Sequence, residues 1–62
     1  MTDNDRKLID SMNELINDKV YDIYFLLGYL SAYVTLVRIT GSVYDDIKNH
    51  IVYYDGKHEI DL

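Results

Sequence analysis

The chain contains no cysteine, no proline and only three glycines. Without cysteine, no disulfide staples the fold and no thiolate ligates a metal or attacks a substrate. Gly28, Gly41 and Gly56 are isolated from one another, which excludes a glycine-rich phosphate loop. Low glycine and absent proline also exclude collagen-like and low-complexity chains. Cationic residues are short too: six Lys and Arg stand against eleven Asp and Glu, a formal net charge of −5. That balance opposes binding to a polyanion, and no basic patch with interleaved aromatics is present, so direct nucleic-acid binding is not expected. What remains is 48% hydrophobic and 27% charged, the composition of a folded chain. Residues 1–62 make one small domain at most. A chain this short buries only about 60% of its unfolded surface, which makes self-association an expectation from the outset.

The charge is segmented. Formal charges fill residues 1–22 and 38–62, and residues 23–37 carry none. As a helix the neutral segment spans about 22 Å, short of a hydrocarbon core of about 30 Å. Asp22 and Arg38 close it, and Tyr24, Tyr29, Ser31, Tyr33 and Thr35 interrupt it. A buried helix is therefore expected rather than a membrane span. The acidic N-terminal stretch does not fit a secretory signal, so the expected location is the cytoplasm.

The dominant periodicity is helical, and the expected fold is mainly α. Ile9, Ile16, Ile23, Leu30 and Val37 recur at heptad spacing, with Met12, Lys19, Leu26 and Tyr33 at the matching second position. Leu8, Leu15, Val20, Leu27 and Val34 widen this seam into a core-facing face. Two arrangements satisfy the pattern. One helix from about residue 3 to about residue 39 would be about 55 Å long and would need a second copy to cover it. Alternatively the chain breaks at Asn17-Asp18, with Asp18 as N-cap of a second helix, giving a helical hairpin. Ordinary helix lengths favour the break, and the uninterrupted heptad phase favours continuity. In either case Ile9, Ile16, Ile23, Leu30 and Val37 are the expected self-association surface of a homodimer.

Thr2-Asp3-Asn4-Asp5 reads as a helix start. Ser11-x-x-Glu14 also fits a capping box but lies inside the periodic run. Gly41 is expected to end the helical run. Ser42-x-x-Asp45 then caps a short third helix over about residues 43–51, with Val43, Ile47 and Ile51 on one face. Val52-Tyr53-Tyr54, Asp55-Gly56 and the following Lys57 to Ile60 predict a C-terminal β-hairpin. Residues 33–40 are rich in β-branched side chains, and a strand there would make the fold a small α+β domain instead.

Asp10, Glu14, Asp18 and Asp22 follow one another at i, i+4 spacing, about 6 Å apart along a helix and opposite the apolar face. Like charges at this spacing cost a few tenths of a kcal/mol per pair, so stability alone does not explain the row. One reading is a solvated helix face. The other is a negative ladder on the scale of nucleic-acid phosphates, which lie about 3.4 Å apart per strand. Tyrosine is also abundant, at seven residues. Tyr21 and Tyr29 are expected beside the acids with Phe25 between them, and tyrosine favours partner surfaces. His50 follows Asp46 by one helical turn and His58 adjoins Glu59, but a metal needs three or four convergent ligands. No metal site, cofactor or catalytic constellation is expected.

These features describe a small acidic interaction protein that is not an enzyme. In size, charge and tyrosine content it resembles the small acidic inhibitors that bacteriophages carry against host nucleases, CRISPR effectors or restriction enzymes. That resemblance implies a basic, nucleic-acid-handling partner, bound partly by mimicry of nucleic-acid charge through Asp10, Glu14, Asp18, Asp22, Tyr21 and Tyr29. The alternative is a self-associating oligomerisation or regulatory module whose acids only keep it dispersed. A small membrane-associated protein is the third reading.

Overall fold

In the computed structural model, which describes residues 1–62, helix α1 runs over Asp3–Asp18. Thr2 starts it with a reciprocal capping box. The Asp5 N–H donates to Thr2 Oγ1 at 3.1 Å and the Thr2 N–H donates to Asp5 Oδ2 at 3.0 Å, satisfying two free backbone donors at once. Ser11 and Glu14 lie in the helix interior and start nothing. Leu8, Ile9, Met12 and Ile16 return at helical spacing and are buried, while Asp10, Glu14 and Asp18 are exposed.

The helix stops at Lys19, whose φ of 58° is left-handed and whose N–H donates to the Ile16 carbonyl at 3.2 Å. Glycine is the usual residue there, and a side chain costs about 1 kcal/mol. This stop corrects two expectations. No single helix covers residues 3–39, and Asp18 closes α1 rather than opening the next helix. Helix α2, Ile23–Leu36, is opened by Asp22, whose Oδ1 accepts the Phe25 N–H at 2.8 Å. The heptad phase survives the break because the link, residues 19–22, is close to one helical turn in length. It preserves the count of inward positions while the chain changes direction.

Helix α2 ends without glycine or proline. Val37 is extended (φ −131°, ψ 135°), and it is followed by the β-branched Ile39 and Thr40, which favour extended backbone. Gly41 does not end a helical run; it is the first residue of helix α3, Gly41–Val52. Thr40 rather than Ser42 is the N-cap, and its hydroxyl caps nothing in α3. Helix α3 buries Val43, Ile47 and Ile51, as their spacing predicts.

The chain is 68% helical and has no strand. Residues 33–40 are the end of α2 and an extended link, so the small α+β alternative is not the fold. The C-terminal β-hairpin is also absent, and so is its expected two-residue turn, which needs left-handed backbone at both Asp55 and Gly56, whereas only Gly56 adopts it. Gly56 takes φ 82°, and Asp55 Oδ1 accepts the Lys57 and His58 N–H groups at 2.8 and 3.0 Å. The segments flanking Gly56 do not pair with each other, since a lone hairpin is marginal in water. The later one lies along α1 instead. Ile60 is buried there, and it completes a ten-residue core drawn from all three helices and this tail.

Candidate functional site

The heptad positions are placed inside one chain. Ile9, Ile16 and Leu30 are at most 3% exposed, and Ile23 and Val37 are half-buried. The seam that was expected to join two copies joins α1 to α2 and both to α3. Once the chain turns at Lys19, the apolar stripes of the two helices cover each other.

The outer face of α1 carries Asp10, Glu14 and Asp18, all exposed, along about 12 Å of helix. Nothing cationic neutralises them. No Lys or Arg anywhere in the chain reaches ion-pair distance of a carboxylate, and the sole pair is His58 with Asp55. Asp22 stands apart from this row. It is exposed across the link, and its carboxylate is committed to capping α2. Beyond Asp18 the link presents an apolar corner. Val20 is 76% exposed, and the half-buried Tyr21 stacks on the exposed ring of Phe25 with centroids 4.4 Å apart. Tyr29 does not join this corner. It is half-buried against the core and meets Tyr33 at 6.0 Å. Asp10, Glu14 and Asp18 thus share the outer face of α1, Tyr21 and Phe25 form a stacked pair across the link at the start of α2, and Tyr29 joins neither.

Two polar devices hold this surface in place, and sequence pattern alone passed over both. The first is Asp5, a completely buried carboxylate. Its Oδ1 accepts the Thr40 N–H at 2.8 Å, and its Oδ2 accepts the Thr40 hydroxyl at 2.6 Å as well as the Thr2 N–H. The N-terminal ends of α1 and α3 therefore converge on one carboxylate, where helix dipoles favour negative charge. The Thr40 hydroxyl bond, with the Thr40 and Thr2 backbone donors, holds the Asp5 pKa down at about 2 against the opposing effect of burial.

The second device is a polar row on α1: Arg6, Asn13 and Asn17. Asn13 clamps the backbone of Ile60 twice, donating from Nδ2 to its carbonyl at 3.0 Å and accepting its N–H on Oδ1 at 2.7 Å. Asn17 donates to Glu59 at 2.9 Å, and Arg6 donates to the Leu62 carbonyl at 3.3 Å. The tail therefore runs antiparallel to α1. A signal for this row was available. Asparagine is a poor helix former, and two of them at i, i+4 on the border of an apolar face ask for a partner.

The histidines serve the tail as well. His50 Nε2 lies 2.9 Å from the His58 carbonyl, which can only accept, so this nitrogen carries the proton. His58 Nδ1 pairs with Asp55, whose carboxyl lies well below the usual range because the His58 and Lys57 backbone N–H groups and the His58 ring donate to it. These side chains line a surface hollow of about 220 Å³ with Tyr53 and Tyr54. No group of three or more His, Asp or Glu is placed to hold a metal ion, and no helix is long and apolar enough to cross a membrane. No protein-family model, curated protein or solved structure matches the chain.

Proposed function

We propose that this chain is a non-catalytic, cytoplasmic interaction protein that binds and blocks a basic, nucleic-acid-handling protein, in the manner of phage inhibitors of nucleases, CRISPR effectors or restriction enzymes. The observation that carries this reading is the outer face of α1: Asp10, Glu14 and Asp18 in one exposed row, none paired with a Lys or Arg, with the stacked Tyr21 and Phe25 across the link that follows Asp18. Carboxylates without partners favour encounter with a basic cleft through long-range charge. The partly exposed rings of Tyr21 and Phe25 add contact area at low entropic cost, which gives the docked complex its lifetime. Asp22 contributes charge to the rim and keeps α2 capped. No cofactor, metal or direct nucleic-acid contact enters the reading.

The test is affinity capture from a bacterial lysate at low and high salt, with two chains in parallel. One is the parent. The other carries Asp10→Asn, Glu14→Gln and Asp18→Asn. The parent is expected to retain a basic nucleic-acid enzyme at low salt and release it at high salt, because exposed charges are screened over about 10 Å at 0.1 M. Added duplex DNA should compete with the capture, and the neutralised chain should lose it while melting at the same temperature or higher. Equal retention by both chains, with the same salt dependence, overturns the reading.

A further inference from the structure

The tail after α3 is held to the helices by side chains alone. Residues 55–62 make no backbone-to-backbone hydrogen bond, and Ile60 is the one residue among them that is buried. His50 Nε2 donates to the His58 carbonyl at 2.9 Å, and Arg6 donates to the Leu62 carbonyl at 3.3 Å. Between them Asn13 donates to the Ile60 carbonyl at 3.0 Å and accepts its N–H at 2.7 Å. Residues 58, 60 and 62 alternate along a segment that forms no helix or turn, so the helices read one edge of an extended chain. The Asn13 amide takes the place that a neighbouring strand would hold, offering one donor and one acceptor to the same residue. These four bonds fall on backbone, which every sequence offers. The fifth, from Asn17 to the Glu59 carboxylate at 2.9 Å, and the burial of the Ile60 side chain select the residue types.

We infer that this row on α1 and α3 is a binding groove for an extended peptide segment of another protein, one with an aliphatic residue preceded by an acid, and that residues 57–62 are its displaceable occupant. The inference goes beyond the proposed function and does not depend on it. The tail itself identifies the occupant. A segment of that chemistry is seated in the groove, and the groove asks nothing of it beyond extended backbone, one acid and one aliphatic side chain. Main-chain bonds give such a groove its affinity, and a side-chain pocket gives it selectivity. The tail is also able to leave. It hinges at Gly56, whose φ of 82° costs glycine nothing. Its release unravels no helix, because the backbone hydrogen bonds of the chain end at Tyr54. A short tether holds it at an effective concentration on the order of millimolar, so a partner segment competes with it by mass action.

Peptide binding to the full chain tests this. The probe is an acetylated, amidated hexapeptide copying residues 57–62, and the NMR signals of the Asn13 side-chain amide report its arrival. Ile60→Asp frees the groove, because an unpaired carboxylate does not enter an apolar core. That chain should stay helical and bind the probe with Kd on the order of 100 µM. The parent should bind about tenfold more weakly, since its own tail competes. Replacing the isoleucine of the probe by serine should weaken binding by about tenfold or more. Asn13→Ala in the Ile60→Asp chain should weaken it by about tenfold. A helical Ile60→Asp chain that ignores the probe at millimolar concentration overturns the inference. Binding indifferent to Asn13→Ala, or to serine in the probe, overturns it as well. If Ile60→Asp costs the chain its helices, the probe must restore them, and no recovery is equally fatal. A parent dimer that grows with concentration and disappears in Asn13→Ala gives the groove to the tail of a second copy and overturns the assignment to another protein.

Discussion

Helices α1 and α2 are close in length, at 16 and 14 residues, and their outer faces differ in kind. Helix α1 divides cleanly into a buried apolar side, a border row that holds the tail, and a charged side in water. Every residue type on it has a use within one chain except the unpaired acids. Helix α2 carries no charge and is apolar on most of its circumference, yet only Leu26 and Leu30 are buried. One helix shows what a solvent-facing surface looks like, with surplus charge. The other shows a surface left uncovered, with Tyr24, Phe25 and Leu36 in water. The two faces therefore differ in character, charged on α1 and apolar on α2.

The sharpest way to break this comparison lies inside α2. Leu30→Ala removes a side chain that is 1% exposed and should cost about 3 kcal/mol, a large share of the stability of a chain this small. Leu36→Ala, on the same helix and 85% exposed, should change monomer stability by less than about 0.5 kcal/mol in urea denaturation. Similar losses at the two sites would mean that the outer face is covered.

Next in size is Asp5. Asp5→Ala removes the acceptor for both Thr40 bonds and should lower the melting midpoint by less than Leu30→Ala does. The pH profile identifies the carboxylate. The folded-state pKa of Asp5 is about 2, below its ordinary value of 3.8, so its contribution is complete above about pH 5 and is lost as pH falls from 4 toward 2. Melting temperature should fall over that window in the parent and fall less in Asp5→Asn. Asp55, lowered in the same direction, leaves a residual slope.

The tail gives a smaller effect. Asn13→Ala removes both bonds to Ile60 and should cost about 1–2 kcal/mol. Hydrogen exchange at the Ile60 amide should accelerate more than exchange in α2. Uniform acceleration across the helices would show that the tail does not open by itself.

The smallest effect is on the outer face of α1. Neutralising Asp10, Glu14 and Asp18 removes two repulsive i, i+4 pairs and should raise stability by no more than about 1 kcal/mol. Added salt should reproduce that gain in the parent. A loss of stability would mean that these acids hold the fold, and their value as a free binding face would go with it.

Much of this molecule was legible before its fold. Thr2-x-x-Asp5 marks the start of α1, because a cap needs only residues within one turn. Leu8, Ile9, Met12 and Ile16, and again Val43, Ile47 and Ile51, mark inward faces, because an amphipathic helix writes its orientation into the spacing of its apolar residues. The exposed row of Asp10, Glu14 and Asp18 follows from the same geometry. Tertiary structure decided the rest. Lys19 ends α1 in a conformation that its residue type does not announce. The β-branched Val37, Ile39 and Thr40 became part of a link rather than a strand because no second strand was there to pair with them. Asp5 found Thr40, and Asn13 found Ile60, across 35 and 47 residues of sequence. Above all, the sequence by itself determined that α2 would be an uncharged helix, but not which side of it would face water. A helix that is apolar most of the way round carries no directional pattern, and only the packing of α1 and α3 against Leu26 and Leu30 selected the side left open.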